Sequence, residues 1–212
     1  MPNETKTRRD LLTGLGAVAA AGALGATEVA AQGGQPPVFT PVMHAEDDWM
    51  SSLPGKHRIV LDVVSAERVS DGLRFASNLL NAHKSGYGLE DSDLAIVVCL
   101  RHAATPYGYD NALWATHGKI IDAEADPLPT GNPFNSGTRT PLADLAKRGV
   151  RFMICGVASR GLAGRIAGQG GDVDAALKDM TTKLISGARI VPAGVIGVTH
   201  AQERGYALLY VG

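Results

Sequence analysis

The chain predicts a three-layer α/β domain: a five-stranded, mainly parallel sheet with helices on both faces. Three observations carry this. Short apolar runs alternate with stretches of helical periodicity from residue 58 onward. One run, "LAIVVCL" at 94–100, is apolar on both faces, as a central parallel strand must be. Helix starts and stops fall between the runs, as at Thr105-Pro106, Thr140-Pro141 and Gly149.

Residues 58–64 read as the first strand, rich in Ile, Leu and Val. Ser65 can cap the next helix, with Glu67 favourable in its first turn. Val69, Leu73, Ala76 and Leu80 recur at helical spacing, so one face is buried, and the glycines of 85–88 end the helix. Residues 94–100 are the second strand. Thr105-Pro106 opens a helix expected to run to His117, with Gly118 just past its end. Residues 119–139 read as a long polar loop, a length that in a compact domain signals function or disorder. Thr140-Pro141 opens a helix with Leu142, Leu145 and Ala146 inward, and residues 150–155 are the third strand. A helix begins at Asp172, with Val173, Ala176, Leu177, Met180 and Leu184 inward. Residues 189–191, 195–204 and 206–211 then read as strand, short helix and strand.

Residues 1–31 read as an export signal rather than fold. Thr7-Arg8-Arg9-Asp10-Leu11-Leu12 is a twin-arginine pattern, an Ala/Gly-rich apolar run spans 14–26, and Val29-Ala30-Ala31 offers a cleavage site. The rival, a membrane anchor, needs a longer apolar run. The expected address is periplasmic, reached folded by the Tat route, with no stable membrane anchor after cleavage. A dinucleotide-like glycine pattern at 14–19 lies inside the signal with no strand before it, and is discarded. Residues 32–57 read as an irregular arm, with one helical turn near 44–50 and Trp49 packing down; 58–212 is the α/β domain.

Composition narrows the function classes. A formal net charge of −1 without a basic stripe argues against nucleic acid. The segment 156–161 lacks the G-x-S-x-G spacing of a nucleophile elbow, and no Gly-Lys-Ser/Thr follows the glycines of 161–171. The six histidines are scattered, so a metal site drawn from His102, His117 and His200 has no spacing to support it. No cofactor is named by the sequence.

The chemistry-bearing residues gather at predicted strand ends, where open α/β sheets bind ligands. Cys155 closes the third strand before Gly156, where helix amides can stabilise a thiolate and Arg160 can add positive charge. The bland alternative is a buried structural cysteine. Arg101 and His102 end the second strand and form a natural anion seat, unless Arg101 pairs with a carboxylate. Tyr107 and Trp114 can wall a pocket or pack at a subunit interface. Cys99 sits deeper in its strand and reads as structural; whether it bonds Cys155 depends on distance.

"LADLAKRGVRFMICGVASRGLAGR" and "ISGARIVPAGVIGVTHAQERGYALLYV" resemble the DsrE/TusD-like sulfur-relay family. The matching pieces are Arg148-Gly149-Val150, the strand ending in Cys155, Arg160-Gly161, Val191-Pro192-Ala193-Gly194 and Gln202-Glu203-Arg204-Gly205-Tyr206. The resemblance covers about 58–212 and is specific mainly over 142–211. It implies a five-stranded, largely parallel sheet, a homo-oligomer (trimer or hexamer), and a persulfide carried on Cys155. Its implied ligands are small sulfur species. Export departs from relay members, which act in the cytoplasm. The alternative is a non-catalytic homo-oligomeric module that binds a small molecule, metal or cofactor through His102, Tyr107, Trp114 and His200.

Overall fold

Five strands, β1 (His57–Val63), β2 (Leu94–Leu100), β3 (Arg151–Cys155), β4 (Ala188–Val191) and β5 (Ala207–Val211), form one sheet in the computed structural model, which describes residues 39–135 and 138–212. All belong to the unit Pro41–Gly212. The twin-arginine signal and the first part of the arm lie outside the described residues. The sheet order is β4-β3-β2-β1-β5, and every neighbouring pair is parallel. The expected "mainly parallel" sheet is therefore wholly parallel.

The order explains the layers. From β1 to β4 the chain steps one way across the sheet. Its helices α2 (Val69–Tyr87), α3 (Asn111–Ile121), α4 (Leu142–Lys147), α5 (Gly156–Ala167) and α6 (Val173–Thr181) all contribute to one apolar layer. The return from β4 to β5 crosses the other face through α7 (Gly194–Glu203). Reversing direction while keeping one crossover hand requires that change of face. The first layer packs Leu61, Ile96, Val98, Phe152 and Ile154 against these helices. The second is smaller and joins Val60, Val97, Cys99 and Met153 to α7 and the arm.

The arm completes the smaller layer. Its helical turn is α1 (Asp48–Ser51); Met50 is fully buried in the smaller layer and Trp49, as expected, packs down against it. Tyr206 donates its hydroxyl to the Met50 carbonyl at 2.8 Å, and Arg58 donates to the same oxygen at 2.9 Å. Those bonds fix the turn so that Trp49 lies half-buried beneath the Arg189 guanidinium, 5.4 Å from its ring centre.

Three boundaries differ from the sequence expectation, the first being α6, which ends at Thr181, so that Leu184, expected on its inner face, lies beyond the helix and bridges to Tyr109. Residues 102–108 form a 3-10 segment before α3, and α3 runs past Gly118 to Ile121. Glycine is needed there because the following loop returns against the helix: a Cβ on Gly118 would stand 2.4 Å from the Pro129 carbonyl oxygen. That loop is tied down by buried Asn132, whose side-chain amide donates to the Tyr107 and Tyr109 carbonyls at 2.9 and 2.7 Å. The glycine-rich stretch after Cys155 forms the twelve-residue α5.

Candidate functional site

Cys155 is the last residue of β3 and the N-cap of α5. Strand and helix meet without a linker because Gly156 allows close approach. A Cβ there would lie 2.7 Å from the Val191 carbonyl oxygen and 2.9 Å from that of Pro192. Cys155 is 8% exposed and lines an open cavity of about 320 Å³ with Arg101, His102, Val157, Ala158, Ala193, Gly194 and Val195. The cavity lies at the carboxyl ends of β2, β3 and β4, the end at which parallel sheets bind ligands.

Cys99 lies one step back, paired with Met153 across the β2–β3 ladder. It is fully buried, and its thiol faces the Gly194 carbonyl at 3.6 Å. Burial, and secondarily the Asp62 carboxylate, push its pKa far upward, so it stays a neutral thiol. Both cysteines are free.

Arg101 reaches the cavity, but its guanidinium is engaged. Nε and Nη2 donate to the two Asp62 oxygens at 2.7 and 2.9 Å, a bidentate pair with Asp62 nearly buried. Those hydrogen bonds to Asp62 raise the Arg101 pKa further. The carboxylate alternative is thus the observed one, and Arg101 brings no uncompensated charge. Asp62 was missed by residue-by-residue reading, although its signal was present: one carboxylate inside the apolar strand "RIVLDVV".

His102 is exposed and carries φ +53°, the one non-glycine residue with positive φ among the described residues. A left-handed histidine is uncommon and persists only where its surroundings hold it. It stands between the Cys155 cavity and a larger one of about 630 Å³, lining both. Tyr107 lines only the larger cavity, beside Glu67, Asp122 and Arg165, and burial raises its phenol pKa.

Like Tyr107, the expected site residues Arg160 and Trp114 are not brought to the thiol. Arg160 points outward from α5 and pairs with Asp174 at 2.7 Å, both exposed, so it lines neither cavity. Trp114 is buried; its indole donates to the Pro106 carbonyl at 3.0 Å and its ring packs 5.1 Å from that of Tyr107. It props the larger cavity's wall from behind. His200 is also elsewhere, bonded to Asp47 at 2.6 Å and stacked on His44. Among the described residues no group of three or more His, Cys, Asp or Glu is placed to hold a metal, and His102, His117 and His200 do not come together as one.

Beneath the site, Tyr109 donates its hydroxyl to buried Ser159 at 2.6 Å, joining the 3-10 segment to α5. This contact fixes the helix one turn beyond Cys155.

No family model matches the chain. No curated protein matches it at a significant level. Among solved structures, the chain is similar to a protein of unknown function from Methanobacterium thermoautotrophicum. The two share 19% identity and a TM-score of 0.41 over 73% of this chain and 99% of that one.

Proposed function

We propose that this protein is a periplasmic DsrE-like sulfur carrier or sulfurtransferase that holds a persulfide on Cys155. The observation that supports this most directly is the contrast between the two thiols. Cys99 is sealed in the core, whereas Cys155 caps a helix and lines an open cavity. A thiol at a helix N-terminus gains stabilisation of its anionic form from the helix amides. The Cys155 thiolate attacks the sulfane sulfur of a donor, whose S–S bond breaks as the rest of the donor leaves as a thiolate or sulfite with the bonding pair; an acceptor thiolate then attacks the outer sulfur of the persulfide and releases the Cys155 thiolate. Arg101 with Asp62 positions the cavity wall rather than supplying charge.

The test is intact-mass analysis of the native protein after exposure to a persulfide donor. It should gain the mass of one sulfur atom, and Cys155→Ser should abolish the gain while Cys99→Ser leaves it. An adduct that survives Cys155→Ser refutes the assignment.

The binding-module alternative has its own support in the larger cavity, which Cys155 does not line. Under that reading a stoichiometric small molecule copurifies with the protein, survives Cys155→Ser, and is lost on closing the cavity with Gly161→Trp, a position that lines the larger cavity and not that of Cys155. Export by the Tat route fits either reading, since that route carries folded proteins. Self-association as a trimer or hexamer is part of the same proposal, supported by exposed Leu208, Leu209 and Tyr210 on the edge strand β5.

A further inference from the structure

We infer that the cavity between α2 and residues 138–140 is a seat for a phosphate group. Its polar walls are Ser70 and Arg74 on α2, and Thr138, Arg139 and Thr140 in the chain leading into α4, around a space of about 230 Å³. None of them lines the Cys155 cavity or the larger one, so the seat is separate from the sulfur chemistry and goes beyond it.

The sign of a ligand is Thr138. Its Oγ1 is sealed from solvent and has no hydrogen-bond partner among the described residues. Burying a hydroxyl without a partner is costly, and in native folds such a group marks the place of a bound water or ion. The charges around it decide between the two. Arg74 and Arg139 line the same cavity, and no carboxylate does. A water would satisfy the hydroxyl and leave two like charges side by side; a dianion answers both. Leu73, almost wholly buried, and Phe134 give the cavity an apolar floor, which keeps water from weakening the attraction.

The donors are available. Ser70 and Arg74 stand one helical turn apart on the same side of α2. Asp71 accepts from Arg68 at 3.0 Å and from Arg74 at 2.6 Å, so two guanidinium groups share one carboxylate. Arg74 gives it only Nη2, leaving Nε and Nη1 for another acceptor. Arg139 is exposed and takes part in no ion pair among the described residues. A guanidinium is a planar fork that matches phosphate oxygens in pairs. Three hydroxyls and two such forks exceed what chloride or a carboxylate's two oxygens can use, and suit the acceptor oxygens of a phosphate group. The small volume admits that group, free or at the end of a small monoester, rather than a folded segment.

The full chain, labelled with ¹⁵N and exchanged into phosphate-free buffer, is titrated with sodium phosphate, with methyl phosphate and, at matched ionic strength, with sodium chloride. Saturable shifts of the amides of 70–74 and 138–140, absent with chloride, are expected. No saturable shift, or the same shifts with chloride, overturns the seat. Methyl phosphate binding as tightly as the free ion points to a monoester as the source, and binding of inorganic phosphate alone points to the free ion; either supports the seat. Arg139→Gln, at an exposed position, should weaken phosphate by at least about tenfold. Thr138→Val keeps the side-chain shape and removes the hydroxyl. It should weaken phosphate by at least about fivefold, while the melting temperature in phosphate-free buffer stays at or above that of the wild type, because an unpartnered hydroxyl holds nothing in the free fold. Wild-type affinity in both variants refutes the inference, as does a Thr138→Val protein that melts earlier yet binds phosphate normally. The same titration of Cys155→Ser should give wild-type affinity, so the seat and the carrier reading stand or fall separately.

Discussion

The Asp62–Arg101 pair shows how a single residue shapes this site. A carboxylate on a central parallel strand is costly to bury unless it is matched, and the bidentate guanidinium matches it. Removing one partner leaves the other charge poorly solvated. Asp62→Asn should therefore lower unfolding free energy by about 2–3 kcal/mol, read by urea denaturation. A change under about 0.5 kcal/mol would mean that the pair is a surface-like contact. The pairing was only half legible in the sequence. Both residues stand out at strand positions, but that they meet depends on β1 and β2 being neighbours in a particular register, with Asp62 opposite Cys99. Cys155 was legible as a strand-end thiol, whereas the loss of Arg160 from the site was not. Five residues along α5 from the N-cap, it points away from the thiol toward α6.

At the scale of elements, strands and helices were read nearly to their observed limits wherever apolar periodicity was strong, as in β2 and α2. The misses fell where a tertiary contact outweighed local preference. Gly118 looked like a helix stop, yet the loop packing over it lets α3 continue. Another tie between elements joins the approaches to β2 and β3. Arg148, just after α4, donates to both oxygens of Asp91 at 2.8 and 2.9 Å. Those hydrogen bonds hold the Asp91 pKa below its ordinary 3.8. A depressed carboxylate stabilises the fold above its unfolded pKa, and the benefit is lost as pH falls through the lower folded value. Arg148→Gln should cost about 1 kcal/mol at pH 6, since the pair is partly solvated. The difference from wild type should shrink steadily below about pH 4. A difference that stays constant down to pH 2 would assign the effect to packing of the arginine stem.

For the whole molecule, the uneven covering of the sheet matters most. Five helices cover one face, while α7 and the arm cover the other. β5 lies at the edge beside β1, and its Leu208, Leu209 and Tyr210 remain exposed. Edge strands are usually blunted by charge, proline or a bulge, and "ALLYV" has neither charge nor proline. The homo-oligomer proposed above would use this edge. Light scattering on the wild-type protein should give a trimer or hexamer mass, and Leu209→Lys with Tyr210→Lys should shift it toward one chain. A wild-type protein that runs as a single chain at all concentrations refutes this. No described helix is long and apolar enough to cross a membrane.

The sequence by itself determined the alternation of strand and helix, the parallel character of the sheet and the placing of Cys155 at a strand's carboxyl end. Those features depend on periodicity and on turn residues, which act over a few positions. Only the tertiary structure decided that the α7 N-terminus closes over the same thiol, that Asp62 occupies Arg101, that His102 takes a left-handed conformation between two cavities, and that Trp114 belongs to the core. Each depends on which strands are neighbours and how closely two glycines let helices approach them, and such distances are set by residues far apart in the chain.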